Sequence, residues 1–138
     1  MKLRFNKRRA LALHRLPFIG KRDNADGRRA FSPLDWWCVP ATGDYSDGND
    51  AGRYLAVIYM NYLLDNNDKT HNELPWIVSD MFKGGELKDS AKGQVVGFLA
   101  TLGGFLSKSA PLFREYLNSQ ENEELLKKVN ASLFERKN

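Results

Sequence analysis

Three aspartates at three-residue intervals, Asp44, Asp47 and Asp50, sit beside Gly43 and Gly48 and invite a chemical reading. Carboxylates clustered in a glycine-containing loop are what a hard cation such as calcium takes as ligands. The spacing fails that reading. With Gly48 at the sharp-turn position of a calcium loop, the first ligand position falls on Gly43 and the closing glutamate position on Tyr54. Turns closed by aspartate side chains, followed by an Asp50 helix cap, account for the same residues with no ion. A working loop would instead present Asp44 and Asp47 to a basic partner or to the chain's own basic stretch.

Catalytic inventory is thin. His14 and His71 lie far apart, the second in the polar run Asp65 to Glu73 with no further ligand at metal spacing, which predicts a solvent-exposed side chain. Cys38 has no activating neighbour in sequence and reads as a buried, inert thiol; a lone cysteine also rules out an internal disulfide and suits a reducing interior. Asp35 and Glu73 could serve as an acid–base pair only if the fold joined them. No Gly-x-Ser-x-Gly, His-Glu-x-x-His or phosphate-loop motif occurs. The expectation is a non-enzyme with no metal and no cofactor.

Charge is the stronger signal. Residues 1–29 carry ten basic side chains (Lys2, Arg4, Lys7, Arg8, Arg9, Arg15, Lys21, Arg22, Arg28, Arg29) against Asp23 and Asp26, a balance of +8. The remainder holds eleven basic and fifteen acidic residues, a balance of −4, and the two give the chain's net +4. Such asymmetry predicts a basic arm that follows polyanions, joined to a mildly acidic body. Each cation placed on a phosphate releases counterions without reading bases. Phe5 and Phe18 offer sparse rings for base stacking. Nothing resembles a groove-reading helix, so no sequence specificity is expected.

The elements that would position these groups are helical. A central helix is expected from Asp50 to Leu64, apolar nearly all round from Tyr54 and therefore buried all round. Ser32-Pro33-Leu34-Asp35 reads as the start of a short helix carrying Trp36 and Trp37 and ended by Pro40. Thr70 and Glu73 have capping-box spacing ahead of a helix that buries Trp76, Ile77 and Met81. From Lys88 to Lys108 a second major helix carries Gly93, Gly97, Ala100 and Gly104 along one ridge. Interior glycines cost about 0.5–1 kcal/mol each against alanine, so the ridge predicts close backbone approach. Gly52 and Ala56 are the matching notch on the central helix. Val96, Phe98, Leu99, Leu102 and Phe105 are expected to fill the other sides.

A further helix restarts at Ser109-Ala110-Pro111. The last one carries a stripe of Leu125, Leu126, Val129 and Leu133, with favourably ordered Glu–Lys pairs. Neither apolar run, 54–64 or 95–106, reaches the roughly 20 residues of a membrane span. The first 22 residues are Arg-rich but lack Ser and Thr, a poor transit peptide, and their apolar patch is too short for a signal peptide. The expected location is cytoplasmic.

The expected fold is all-α: one compact domain of five or six helices around two buried central ones, with residues 1–29 as arm and hinge and 30–138 as the helical body. Two functions follow, from different classes. The first is a non-catalytic module whose arm contacts nucleic-acid phosphates, alone or inside a larger nucleoprotein assembly. The second is a protein-docking inhibitor or adaptor, of the kind mobile genetic elements carry, that binds through the Trp36-Trp37 to Asp50 segment with Trp37, Asp44 and Asp47 as contacts.

Overall fold

The computed structural model describes residues 12–21 and 34–134. Among these residues the chain is mostly helical, with one two-residue strand pair, so the broad all-α expectation holds. It divides into two compact units, Met1–Leu102 and Gly103–Asn138.

In the first unit the main helix, α1, runs Tyr45–Asp65 and starts five residues before the expected Asp50. Asp44 is the cap. Its Oδ1 accepts the Asp47 N–H at 2.9 Å, and the Asp47 carboxylate returns the favour to the Asp44 N–H at 3.2 Å. Two orphan amides of the first turn are thereby satisfied, and the negative charges sit at the positive end of the helix. Asp50 falls in the second turn, where it pairs with Arg53 at 2.6 Å. Burial is one-sided, contrary to the expectation. Gly48, Gly52, Ala56, Tyr59 and Tyr62 face inward, while Tyr54, Val57 and Leu64 are exposed.

Helix α2, Glu73–Met81, is capped by Asn72 without a side-chain bond, so the Thr70–Glu73 box does not form. Ile77 and Met81 are buried as expected, but Trp76 is exposed. Helix α3, Asp89–Ser109, is the expected glycine helix. A Cβ on Gly93 would run into the Tyr45 carbonyl and the Asn49 amide, and one on Gly97 into the Asn49 carbonyl. In return, a Cβ on Gly48 would strike the Ser90 carbonyl, and one on Gly52 the Gln94 carbonyl and the Phe98 amide. The two helices cross backbone to backbone, with glycines on both sides. The ridge is shorter than expected, because Gly104 faces open space. Phe98 and Leu102 are buried, Leu99 is partly so, and Val96 and Phe105 are exposed.

The expected Trp36–Trp37 helix is absent. Leu34–Asp35 is a short strand, β2, that pairs antiparallel with β1, Gly20–Lys21, in the register Gly20↔Asp35 and Lys21↔Leu34. The Cys38 N–H extends the pairing by donating to the Phe18 carbonyl at 2.7 Å. Gly20 is needed there because any Cβ would press on the Cys38 side chain. That side chain is itself exposed, against expectation. Asp35 and the Trp37 carbonyl both receive the Lys83 ammonium, which fastens this segment to the end of α2. The Trp36 N–H donates to buried Asp80 at 2.9 Å, and the Gln94 amide donates to the Pro40 carbonyl at 2.9 Å.

An aromatic cluster forms the core. Phe18 is fully buried and meets Trp37, Phe98 and Tyr59 at ring-centroid distances of 5.5, 5.7 and 6.2 Å. Leu16 is buried beside it in the same core. Residues 12–21, expected to belong to the free arm, are thus built into the body, and Phe18 has no face for a base. The Pro17 break places Leu16 and Phe18 on either side of a turn, with the Leu16 carbonyl accepting from the Ile19 N–H at 3.1 Å.

In the second unit, the chain beyond α3 forms a short 3-10 turn, Ala110–Phe113, then α4, Arg114–Asn118, and α5, Asn122–Phe134. Pro111 suits the turn at its start, where a missing N–H costs nothing. None of the described residues from 103 to 133 is buried.

Candidate functional site

Among the described residues, the tightest cluster of ionisable groups joins α1 to α2. His71 Nδ1 lies 2.8 Å from Glu73 Oε1, and His71 Nε2 lies 2.6 Å from the Asn66 carbonyl. The Tyr62 hydroxyl donates to the same Glu73 oxygen at 2.7 Å. A carbonyl only accepts, and a carboxylate only accepts, so the two contacts favour the protonated ring, with both nitrogens donating. Its bond to Glu73, seconded by the Asn66 carbonyl, raises the His71 pKa above the ordinary imidazole value. Burial pushes Glu73 upward, but the bonds from His71 and Tyr62 outweigh it and leave its carboxyl below the usual range. Tyr59, stacked on Tyr62 at 6.0 Å, is pushed up to about 12 by burial and then by the Glu73 charge.

His71 was expected in solvent and is instead the pin of this latch. The side chains of His71 and Glu73 are only 14% and 13% exposed. Such cover suits fastening the C-terminal end of α1 to the first turn of α2 better than meeting a substrate. Glu73 Oε2 is buried with no hydrogen-bond partner, which leaves the carboxylate half satisfied. Asp35, the other half of the acid–base pair considered from sequence, is held instead by Lys83 and by the Trp37 N–H at 3.1 Å.

The sequence-derived site residues separate into groups. Lys2, Arg4, Lys7, Arg8, Arg9, Arg22, Arg28 and Arg29 lie outside the described residues. Arg15 and Lys21 are exposed, on either side of the buried Leu16 and Phe18. Trp37 is buried against Phe18 and Phe98 and has no surface to offer a partner. Asp44 and Asp47 are exposed but spend their carboxylates on each other's backbone. The bond from the Asp47 N–H holds the Asp44 carboxyl below its ordinary pKa. No group of three or more His, Cys, Asp or Glu suited to a metal occurs among the described residues.

The surface that sequence reading passed over lies in the second unit. Phe105, Leu106, Leu112, Phe113, Tyr116 and Leu117 are all exposed, and so are Leu125, Leu126, Val129 and Leu133. Leu112, in the 3-10 turn, is 83% exposed, the most of the ten. The signal was present as amphipathic stripes; their lack of cover was not. The helical run Asp89–Asn118 also meets the length and apolarity of a membrane span, which the shorter run 95–106 did not suggest. Core helices pass the same test, and Val95, Phe98 and Leu102 of this run are buried in the first unit. A shallow depression of about 310 Å³ at the turn after α4 and the start of α5 is lined by Ser119, Gln120, Glu121, Glu124, Leu125 and Lys128, and its walls are mostly polar.

Comparison with protein-family models, with curated proteins and with solved structures finds no match to this chain.

Proposed function

We propose that the chain is a non-catalytic helical binding module whose basic N-terminal stretch contacts nucleic-acid phosphates without sequence preference. The observation that carries the reading is the charge division, +8 over residues 1–29 against −4 over the rest. The packing of residues 12–21 supports it: Leu16 and Phe18 root the stretch in the body while Arg15 and Lys21 stay in solvent. A rooted cationic segment loses less freedom on binding than one hanging from a loose hinge.

The rooting dictates the test. Deleting residues 1–29 would remove Leu16 and Phe18 and unfold the body, so the charges are removed instead. Replacing Lys2, Arg4, Lys7, Arg8 and Arg9 by Gln should weaken binding to DNA or RNA of any sequence. The slope of log affinity against log salt should also become shallower by about 0.9 per lost duplex contact. Unchanged affinity and slope would overturn the reading.

Protein docking is the second reading, and the exposed apolar side chains of α4 and α5 favour it. Its contact surface moves from the Trp36-Trp37 to Asp50 segment, where Trp37 is buried, to the second unit.

A further inference from the structure

We propose that the joint between α1 and α2 is a proton-operated latch: it is shut while the His71 ring carries both protons, and loss of one frees residues 67–72 and the first turn of α2 while the rest of the first unit stays folded. Hydrogen-bond stereochemistry carries the inference. Nδ1 faces Glu73 Oε1 at 2.8 Å and Nε2 faces the Asn66 carbonyl at 2.6 Å. A neutral imidazole has a single N–H, so no tautomer satisfies both contacts. Whichever nitrogen gives up its proton turns a lone pair onto an oxygen. The same loss strips the Glu73 carboxylate of its cation. The Tyr62 hydroxyl still donates to Oε1, but Oε2 is buried with no partner. A covered carboxylate held by one neutral donor is costly, and water outside the joint offers a replacement for every lost bond.

The surroundings confine the release to the joint. Asn67, Asp68, Lys69, Thr70 and Asn72 are exposed, the Lys69 N–H bonds only back to the Asn66 carbonyl at 3.2 Å, and Asn72 caps α2 without a side-chain bond. Among the described residues, His71 is the side chain of this run that reaches both helices. The flanks have fastenings of their own. Asn66 closes the end of α1, its backbone N–H and its side-chain amide donating to the Tyr62 carbonyl at 3.1 and 2.9 Å. Along α2, Ile77 and Met81 are buried and Asp80 accepts the Trp36 N–H at 2.9 Å. Opening therefore starts after Asn66 and stops short of Ile77. The groups around the ring are Tyr62 of α1, edge-on at 5.3 Å with Tyr59 stacked behind it, Glu73 of α2, and Lys69 of the turn. Asp65 and Asp68 are the other charged residues of this stretch. The Glu73 bond and then the Asn66 carbonyl hold the His71 pKa above the ordinary imidazole value, against burial and the Lys69 charge, so the latch opens as pH rises.

Amide hydrogen exchange of the full chain across pH, corrected for base catalysis and read beside the His71 ring titration by NMR, tests the latch. Protection of the Trp76 and Ile77 amides, which close the first turn of α2, should fall about tenfold per pH unit between the ordinary imidazole pKa and the raised one, and level off on either side. Protection of the Phe98 and Leu102 amides in α3 should stay flat over the same range. Glu73→Gln keeps an acceptor for the ring and removes the charge, so the fall should shrink and finish at lower pH. His71→Gln should leave the joint weakly protected with no dependence on pH. Joint amides that ignore the ring titration would overturn the proposal. So would joint amides that lose protection in step with Phe98 and Leu102, since the unit would then be unfolding as a whole. A Glu73→Gln profile identical to the wild type would also overturn it, and the wild-type comparison decides alone if a variant fails to fold.

Discussion

The two units of this chain contain similar side chains and use them differently. Before Gly103, aromatic rings converge on Phe18 and Phe98, and glycines on both α1 and α3 let two backbones touch. Beyond it, leucines and aromatics of the same kind stand in solvent, and Gly103 and Gly104 have nothing within 4 Å of the position a Cβ would take. Both stretches are helical and amphipathic. The difference is whether a second surface has been supplied. Periodicity of apolar residues reports that a helix has a face to bury and does not report what buries it.

Substitutions that respond oppositely in the two units sharpen this contrast. The largest effect is expected at the crossing. Gly52→Ala drives a methyl into the Gln94 carbonyl, and the clash involves backbone on both sides, so it cannot be relieved by a rotamer change. A loss of about 3 kcal/mol or more is expected in chemical denaturation, at the upper end for overpacking. A cost below that of an ordinary helix-surface change would mean that the crossing is looser than it looks.

An intermediate effect is expected at the latch. His71 has a raised pKa in the folded state, so its contribution is fully present below the ordinary imidazole value. It is lost as pH rises through the raised one. Glu73 has a lowered pKa, so its contribution is present above the ordinary carboxylate value and is lost as pH falls through the lowered one. Between those limits both charges are in place. His71→Gln should cost about 1–3 kcal/mol there, as expected for a charged hydrogen bond, and less as pH rises. Thermal melts of the two proteins across pH should show a gap that closes toward the alkaline side; a gap independent of pH would remove the imidazolium from the argument.

The smallest effect has the opposite sign. Gly104→Ala meets open space, so it should stabilise α3 by about 0.5–1 kcal/mol. A Gly104→Ala protein less stable than the wild type in chemical denaturation would mean that this glycine is covered.

Some of this was legible in the sequence. The helix crossing was, because interior glycines four apart are costly and only close approach compensates for them. The mostly helical class was legible for the same kind of reason, through long apolar periods and few β-branched runs. Other features were hidden by their geometry. Asp44 and Asp50 are equally good caps on paper, and the first turns of α1, Tyr45 to Asp50, carry no apolar period to reveal where the helix begins. His71 takes one partner two residues ahead and another five residues behind, a pairing across a turn that follows no helical or strand spacing. Leu16 and Phe18 flank Pro17 amid cationic neighbours, so composition assigned them to the arm while packing assigned them to the core. Of the expected nucleic-acid contacts, the charge count was readable and the anchoring was not.

The place of Phe18 has a consequence for biosynthesis. Its neighbour Phe98 leaves the ribosome about eighty residues later, and contacts that distant in sequence close late and slowly compared with those inside one helix. For most of translation Phe18 therefore has no Phe98 to pack against. Until α3 has emerged, the turn at Leu16 to Phe18 lacks the ring that closes over it.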